Sequence, residues 1–123
     1  MVGFLRNNND AVNKIKSLLV KNEEVYTSSI NVHELVEGAN LSDNTIKNME
    51  KVDELLQTIT ILPFDRKCAV ISGKISAKKE VLIKPIGQND IFIAAVAINY
   101  NLNLVTRNKK HFETIENIEI EEW

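Results

Sequence analysis

The segment from Ile91 to Ile98 constrains the fold more than any other part of this sequence. It is apolar nearly all round at helical spacing, so a helix formed here has no polar face to turn to water and must be covered on every side. Its eight residues are far fewer than the ~20 that cross a bilayer. We therefore predict a buried helix, packed between a sheet and other helices, and no membrane span.

Short strands and longer helices alternate around this segment. The spacing of apolar residues predicts strands at 25–27, 59–64, 102–106 and 118–121, and helices at 10–21, 28–38, 42–57, 65–83 and from 89 or 90 onward. Ser28 or Ser29, Ser42 and Asp65 are the expected N-caps. Apolar residues at helical spacing predict the inner faces of the third and fourth helices, which we expect to hold Ile46, Met49, Val52, Leu55 and Leu56, and Ala69, Val70, Ile75 and Val81.

This alternation is typical of an open, mostly parallel α/β sheet in one domain spanning residues 1–123. In such sheets ligands bind outside the carboxyl ends of the strands. The positions to inspect are therefore 28–34, Asp65 and 106–111. Asp90 starts a helix that leads into a strand, so only the tertiary fold can bring it to the same edge.

Composition and charge narrow the class of protein. Fifteen Lys and Arg against seventeen Asp and Glu give a net charge of −2, which excludes a wholly basic nucleic-acid coat and leaves only a local basic patch for such contacts. Cys68 is the single cysteine, so an intrachain disulfide and a cysteine-based zinc site are excluded, and we expect a buried core thiol. With no export signal at the N-terminus, we predict a cytoplasmic protein.

Oxygen-bearing side chains at the expected sheet edge favour a metal-dependent reaction. Glu34, Asp90 and the Asn108 amide are suitable ligands for Mg²⁺ or Mn²⁺, which bind few protein carboxylates and keep several waters. Thr106 is placed to orient a carboxylate or a water, and Arg107, Lys109 and Lys110 to contact phosphate. Each residue also has a structural interpretation: a solvated carboxylate for Glu34, an N-cap for Asp90 and a turn residue for Asn108.

Two other site types fit the sequence less well. His33 and Glu34 resemble half of a zinc-protease helix, but Glu37 stands where the second histidine is needed. We therefore assign His33 and His111 to a helix face and a loop. A phosphoacceptor domain of the receiver type needs two adjacent acids after its first strand and a lysine after its last strand, and the sequence has neither.

Three stretches together resemble the PIN-domain ribonucleases, and within them the VapC toxins of type II toxin–antitoxin pairs. They are Glu34 to Ala39, Ile86 to Ala95 and Leu104 to Phe112. The resemblance covers nearly the whole chain in the right order. It implies a three-layer α/β/α sandwich with a parallel sheet, metal-dependent cleavage of RNA, a homodimer, and inhibition by a small cognate antitoxin.

The family's site residues carry over to particular positions. Glu34 matches the family's helix glutamate and Asp90 its later aspartate, both metal-site acids, while Asn108 falls where many members have an acidic residue. Thr106 matches the family's hydroxyl residue. Arg6, Arg107, Lys109 and Lys110 are the expected contacts to the RNA backbone.

The N-terminus departs from the family pattern. Members open with a strand that ends in an aspartate, whereas Val2 to Arg6 resembles the helix that follows it. We expect a chain whose recorded start is too late, so that the first central strand and one metal ligand are missing and this form binds metal poorly and cleaves slowly. The alternative is a non-catalytic, degenerate PIN module that keeps only its antitoxin or dimer surface.

Overall fold

The computed structural model describes residues 2–3, 17–18, 21, 24–106 and 108–122. Within these residues the strands are β1 (Val2–Gly3), β2 (Tyr26–Ser28), β3 (Thr60–Leu62), β4 (Leu104–Thr106) and β5 (Ile120–Glu122). The helices are α1 (Ser29–Leu41), α2 (Thr45–Leu56), α3 (Arg66–Ser76), α4 (Lys79–Ile83), α5 (Gln88–Asn99) and a 3₁₀ helix, Lys109–Phe112.

Every strand pairing between described residues is parallel. β4 lies between β1 and β5 in a three-stranded sheet, and β2 pairs with β3 in a two-stranded sheet. β1 also packs beside β2, which brings the two sheets together. Parallel neighbours need a crossover connection, usually helical. The predicted α/β class with a mostly parallel sheet is therefore confirmed.

The N-terminal prediction is wrong at the two residues that the structure describes there. Val2 and Gly3 form a strand whose partners are Leu104 and Val105, and both partners are at most 1% exposed. A buried strand edge leaves backbone groups without partners, and β1 satisfies them on this side of β4. A strand thus forms where we expected the start of a helix. It also gives β4 a neighbouring strand that we expected to be missing from this chain. Residues 4–6, and most of the predicted helix at 10–21, lie outside the described residues.

Two hydrophobic clusters form the core. In one, Ile91, Ile93 and Ala94 of α5 pack with Leu104 and Val105 of β4. The other joins α1 to α2 and to the residues before β2 and β3, through Leu35, Ala39, Val52, Val25 and Ile59. All residues of α5 from Asp90 to Ala97 except Phe92 are buried, which confirms that this helix is covered on nearly every side.

Helix boundaries differ from the predictions where side chains form local hydrogen bonds. Helix α1 does not stop near Gly38, as predicted, but continues to Leu41, and Ser42 is its C-cap. Asn44, not Ser42, caps α2, where its side chain accepts a hydrogen bond from the Lys47 backbone N–H. The predicted helix at 65–83 is two helices, because the backbone of Lys78 is extended between α3 and α4.

The predicted inner faces are partly wrong. Ile46 on α2 is 79% exposed and Val70 on α3 is 50% exposed, and Ala69 is also exposed. The buried stripe of α3 instead contains Cys68, Ser72 and Ile75, which are spaced by one helical turn. Burial raises the pKa of the Cys68 thiol above its ordinary value, and this disfavours the nucleophilic thiolate.

Candidate metal and active site

Asp90 contacts the segment that follows β4. It is in the first turn of α5, is 6% exposed, and its Oδ2 lies 3.1 Å from Nδ1 of His111. His111 belongs to the 3₁₀ helix that follows β4. The tertiary fold therefore brings Asp90 to the edge where a ligand site was predicted, and places a histidine beside it that the sequence analysis assigned to a loop.

Thr106 and Asn108 form the turn that leaves β4. Thr106 is 5% exposed, and its Oγ1 accepts a hydrogen bond of 3.0 Å from the Asn108 backbone N–H. This bond fixes the backbone of Asn108, which is half-buried. The observed partner of Thr106 is thus the backbone of the turn.

Glu34 is held in place by the well-capped start of α1. The Ser28 side chain accepts a hydrogen bond from the Asn31 backbone N–H, and the Asn31 side chain accepts one from the Ser28 backbone, which forms a capping box. One turn further along, Oε1 of Glu34 is buried and has no hydrogen-bond partner among the described residues. A carboxylate oxygen in this state is an available ligand.

A chain of contacts links the first turns of α1 and α5. Oγ of Ser29 accepts a hydrogen bond of 3.2 Å from the Phe64 backbone N–H, and the Phe64 ring lies 4.7 Å from the Phe92 ring, centroid to centroid. Ser29 begins the helix that carries Glu34, and Phe92 follows Asp90 by two positions. The two acids therefore stand on helices whose first turns both contact Phe64.

The donor set suits a hard divalent cation. Glu34 and Asp90 offer carboxylate oxygens, and Asn108 offers an amide oxygen, which are the ligands that Mg²⁺ prefers alongside several waters. No group of three or more His, Cys, Asp or Glu suitable for a metal occurs within the part of the chain that the structure describes. A cation here would thus be held by few protein atoms. His33 instead faces Glu37 at 3.5 Å on the exposed side of α1.

The predicted RNA-contact residues are only partly described. Arg6 and Arg107 lie outside the described residues, and Lys109 and Lys110 are exposed. Lys110 lines a cleft that also reaches Lys84, Asp90, His111 and Thr114. Sequence reasoning missed Lys84 and Thr114, because a loop residue and a turn residue carry no signal of their own until the chain brings them beside Asp90.

Known proteins are similar to this chain in sequence over most of its length. The PIN-domain profile matches residues 1–117. Ribonuclease VapC2 of Rickettsia felis is 38% identical over 106 residues, covering 86% of this chain and 79% of that protein. The tRNA(fMet)-specific endonuclease VapC of Salmonella typhimurium is 34% identical over 96 residues, covering 78% of this chain and 73% of that protein.

Solved structures agree. DNA-bound VapBC from Salmonella typhimurium superposes with a TM-score of 0.84 at 29% identity, covering 100% of this chain and 99% of that chain. VapBC2 from Rickettsia felis, bound to a promoter DNA fragment, superposes with a TM-score of 0.82 at 34% identity, covering 94% of this chain and 86% of that chain. The chain belongs to the PIN-domain family and, within it, to the VapC ribonucleases of toxin–antitoxin systems. The predicted family and PIN-like fold are confirmed.

Proposed function

We propose that this protein is a metal-dependent endoribonuclease, the toxin of a toxin–antitoxin pair, and that Glu34 and Asp90 bind its divalent cation. The observation that carries the assignment is the buried Glu34 Oε1 without a described hydrogen-bond partner, on a helix that packs against the helix of the buried Asp90. Burying such an oxygen unpaired costs free energy, and a bound cation offsets that cost. The names of the relatives, ribonuclease and endonuclease, support the reaction class.

Each side chain has a separate task in the proposed reaction. A bound Mg²⁺ or Mn²⁺ supplies an activated water and stabilises charge on the phosphodiester. His111 orients the Asp90 carboxylate through the contact at 3.1 Å. Thr106 holds the turn that presents Asn108 as an auxiliary ligand or water-positioning group. Lys109 and Lys110, with Arg6 and Arg107, bind the RNA backbone.

The small ligand set limits the expected activity. The residue directly after β1 is Phe4 and not a carboxylate, and Glu34 and Asp90 are the acids of the proposed site among the described residues. We therefore still expect the 123-residue chain to bind the cation weakly and to cleave slowly.

Several further features belong to the same proposal. We infer one domain, a homodimer, a cognate antitoxin as partner and a cytoplasmic location. The antitoxin is supported by the solved neighbours, which are VapBC complexes. In the part of the chain that the structure describes, no helix is both long and apolar enough to span a bilayer.

Cleavage of RNA tests the function directly. Total tRNA is incubated with the purified chain in Mg²⁺, in Mn²⁺ and in EDTA, and the cleaved ends are mapped. We expect slow cleavage that EDTA abolishes and that falls by more than about 100-fold in Glu34→Gln and Asp90→Asn, because even the outer-shell partners of metal ligands are worth about 10–100-fold.

The control for these variants is Glu37→Gln, which removes an exposed carboxylate from the same helix as Glu34. Its rate should equal that of the wild type. Cleavage at the wild-type rate by all three variants would contradict the assigned site. A chain that binds its antitoxin but cleaves no RNA with either ion would instead favour the degenerate, non-catalytic module.

A further inference from the structure

A cleft of about 380 Å³ opens beside Asp90. It is lined by the loop after α4, with Lys84 and Gly87, and by the 3₁₀ helix and the following turn, with Lys110 and Thr114. Small-molecule sites typically occupy about 300–1,000 Å³. The cleft is thus large enough for one mononucleotide and too small for a nucleic-acid duplex.

Two lysines, Lys84 and Lys110, line the cleft together with one carboxylate, Asp90. Neither Lys84 nor Lys110 forms an ion pair with any residue that the structure describes, whereas Lys78 on the neighbouring surface contacts Glu116 at 2.9 Å. Each ammonium group has three hydrogen-bond donors. Two lysines that line one cleft and have no ion-pair partner among the described residues favour an anionic ligand.

The interior of the cleft offers groups that suit a nucleoside. Thr114 and His111 belong to its polar lining. Nδ1 of His111 is engaged by Asp90, so its Nε2 is the ring nitrogen left for a ligand. Pro85 and Ile86 add apolar surface to the lining. Polar and apolar groups in one small cleft match a sugar and a base.

We propose that this cleft, called here the Lys84–Lys110 cleft, is a nucleotide subsite for single-stranded RNA. Lys84 and Lys110 bind a backbone phosphate, and the interior receives the one unpaired nucleotide that adjoins the scissile bond. The inference rests on the proposed function, because Asp90 at the edge of the cleft marks the position of the scissile phosphate. Proteins read RNA mostly through unpaired nucleotides in loops and ends, which fits a subsite of this size.

Mononucleotide binding tests the subsite without any cleavage. Uridine 5′-monophosphate is titrated into the full chain in EDTA by calorimetry, beside Lys84→Gln, Lys110→Gln and the double variant. We expect saturable binding that each single substitution weakens by about tenfold or more, the scale of one hydrogen bond to a charged group. Lys51→Gln, an exposed lysine on α2, is the matched control and should bind like the wild type.

Two further ligands show which part of the nucleotide is recognised. Uridine without phosphate should bind more weakly than the nucleotide, and inorganic phosphate should also bind more weakly. Phosphate that binds as tightly as the nucleotide would overturn the proposal, since it would show an adventitious anion site. Wild-type affinity in the double variant would overturn it as well.

Failure of the subsite and failure of the nuclease assignment are distinguishable with a labelled single-stranded RNA, whose binding is measured by fluorescence anisotropy in EDTA. We expect the double variant to lower the salt slope of binding by about 0.7 for each phosphate that the lysines no longer neutralise. Cleavage of the RNA in Mg²⁺, together with RNA binding that the double variant leaves unchanged, would contradict the subsite but not the nuclease assignment. Lysine-dependent nucleotide binding without cleavage would sink the nuclease assignment alone.

Discussion

At the scale of single residues, the start of α1 is unusual in its buried polar atoms. Oγ1 of Thr27, Nδ2 of Asn31 and Oε1 of Glu34 are all buried without a hydrogen-bond partner among the described residues. Folded proteins satisfy the large majority of such atoms. Three unsatisfied atoms within eight positions of the sequence mark a place where the chain gives up stability, as residues arranged for binding commonly do.

This interpretation predicts that Glu34 destabilises the metal-free protein. Glu34→Leu removes the unpaired carboxylate at similar volume, so in EDTA the free energy of unfolding should rise by about 1 kcal/mol. Urea denaturation followed by circular dichroism measures it. A decrease in the free energy of unfolding would show that the carboxylate has a favourable partner and is not held ready for a cation.

At the scale of helices and strands, side-chain N-caps set where α1, α2 and α3 start. Asp65 caps α3, and its side chain accepts a hydrogen bond of 3.0 Å from the Cys68 backbone N–H. That bond lowers the pKa of Asp65 below its usual value. Because the pKa is lower in the folded state, the stabilisation is complete above the unfolded-state pKa, about 3.9, and is lost as the pH falls through the folded-state pKa.

Asp65→Asn should therefore flatten the acid limb of the stability curve. Asparagine caps helices about as well as aspartate but does not titrate, so between about pH 6 and pH 3 the urea midpoint should fall less than in the wild type. The matched control is Asp53→Asn, an exposed aspartate on α2. Parallel curves for the wild type and Asp65→Asn would contradict this role.

The same elements show what a sequence can predict. Ser28 and Asp65 were recognisable as caps because each bonds a backbone N–H three residues ahead, which is a local interaction. The exposure of Ile46 and Val70 depends on which elements pack against each helix, and no local pattern specifies that. The break between α3 and α4 was missed for a similar reason, since the apolar spacing continues across it.

Prediction of the site divides along the same line. Glu34, Asp90, Thr106 and Asn108 were proposed because they follow strands or begin helices, and because three short motifs together resemble one family. The contact between His111 and Asp90 and the cleft that Lys84 and Lys110 both line are tertiary, and spacing alone does not reveal them. The role of each site residue stays a prediction until the variants are measured.

At the scale of the whole molecule, the fold brings together groups that are distant in the sequence. The covered helix α5 carries Asp90 at its start and packs against α1, which carries Glu34. Phe64, between β3 and α3, contacts both helices through Ser29 and Phe92. The central claim is that this arrangement lets Glu34 and Asp90 share one divalent cation.

Calorimetric titration of Mn²⁺ into the metal-free chain tests that claim most directly, with Glu34→Gln, Asp90→Asn and the exposed control Glu37→Gln titrated in parallel. Shared ligation predicts weak, saturable binding of one ion to the wild type and to Glu37→Gln, and loss of that binding in each of the other two variants. Binding that survives in either Glu34→Gln or Asp90→Asn at wild-type affinity would contradict it.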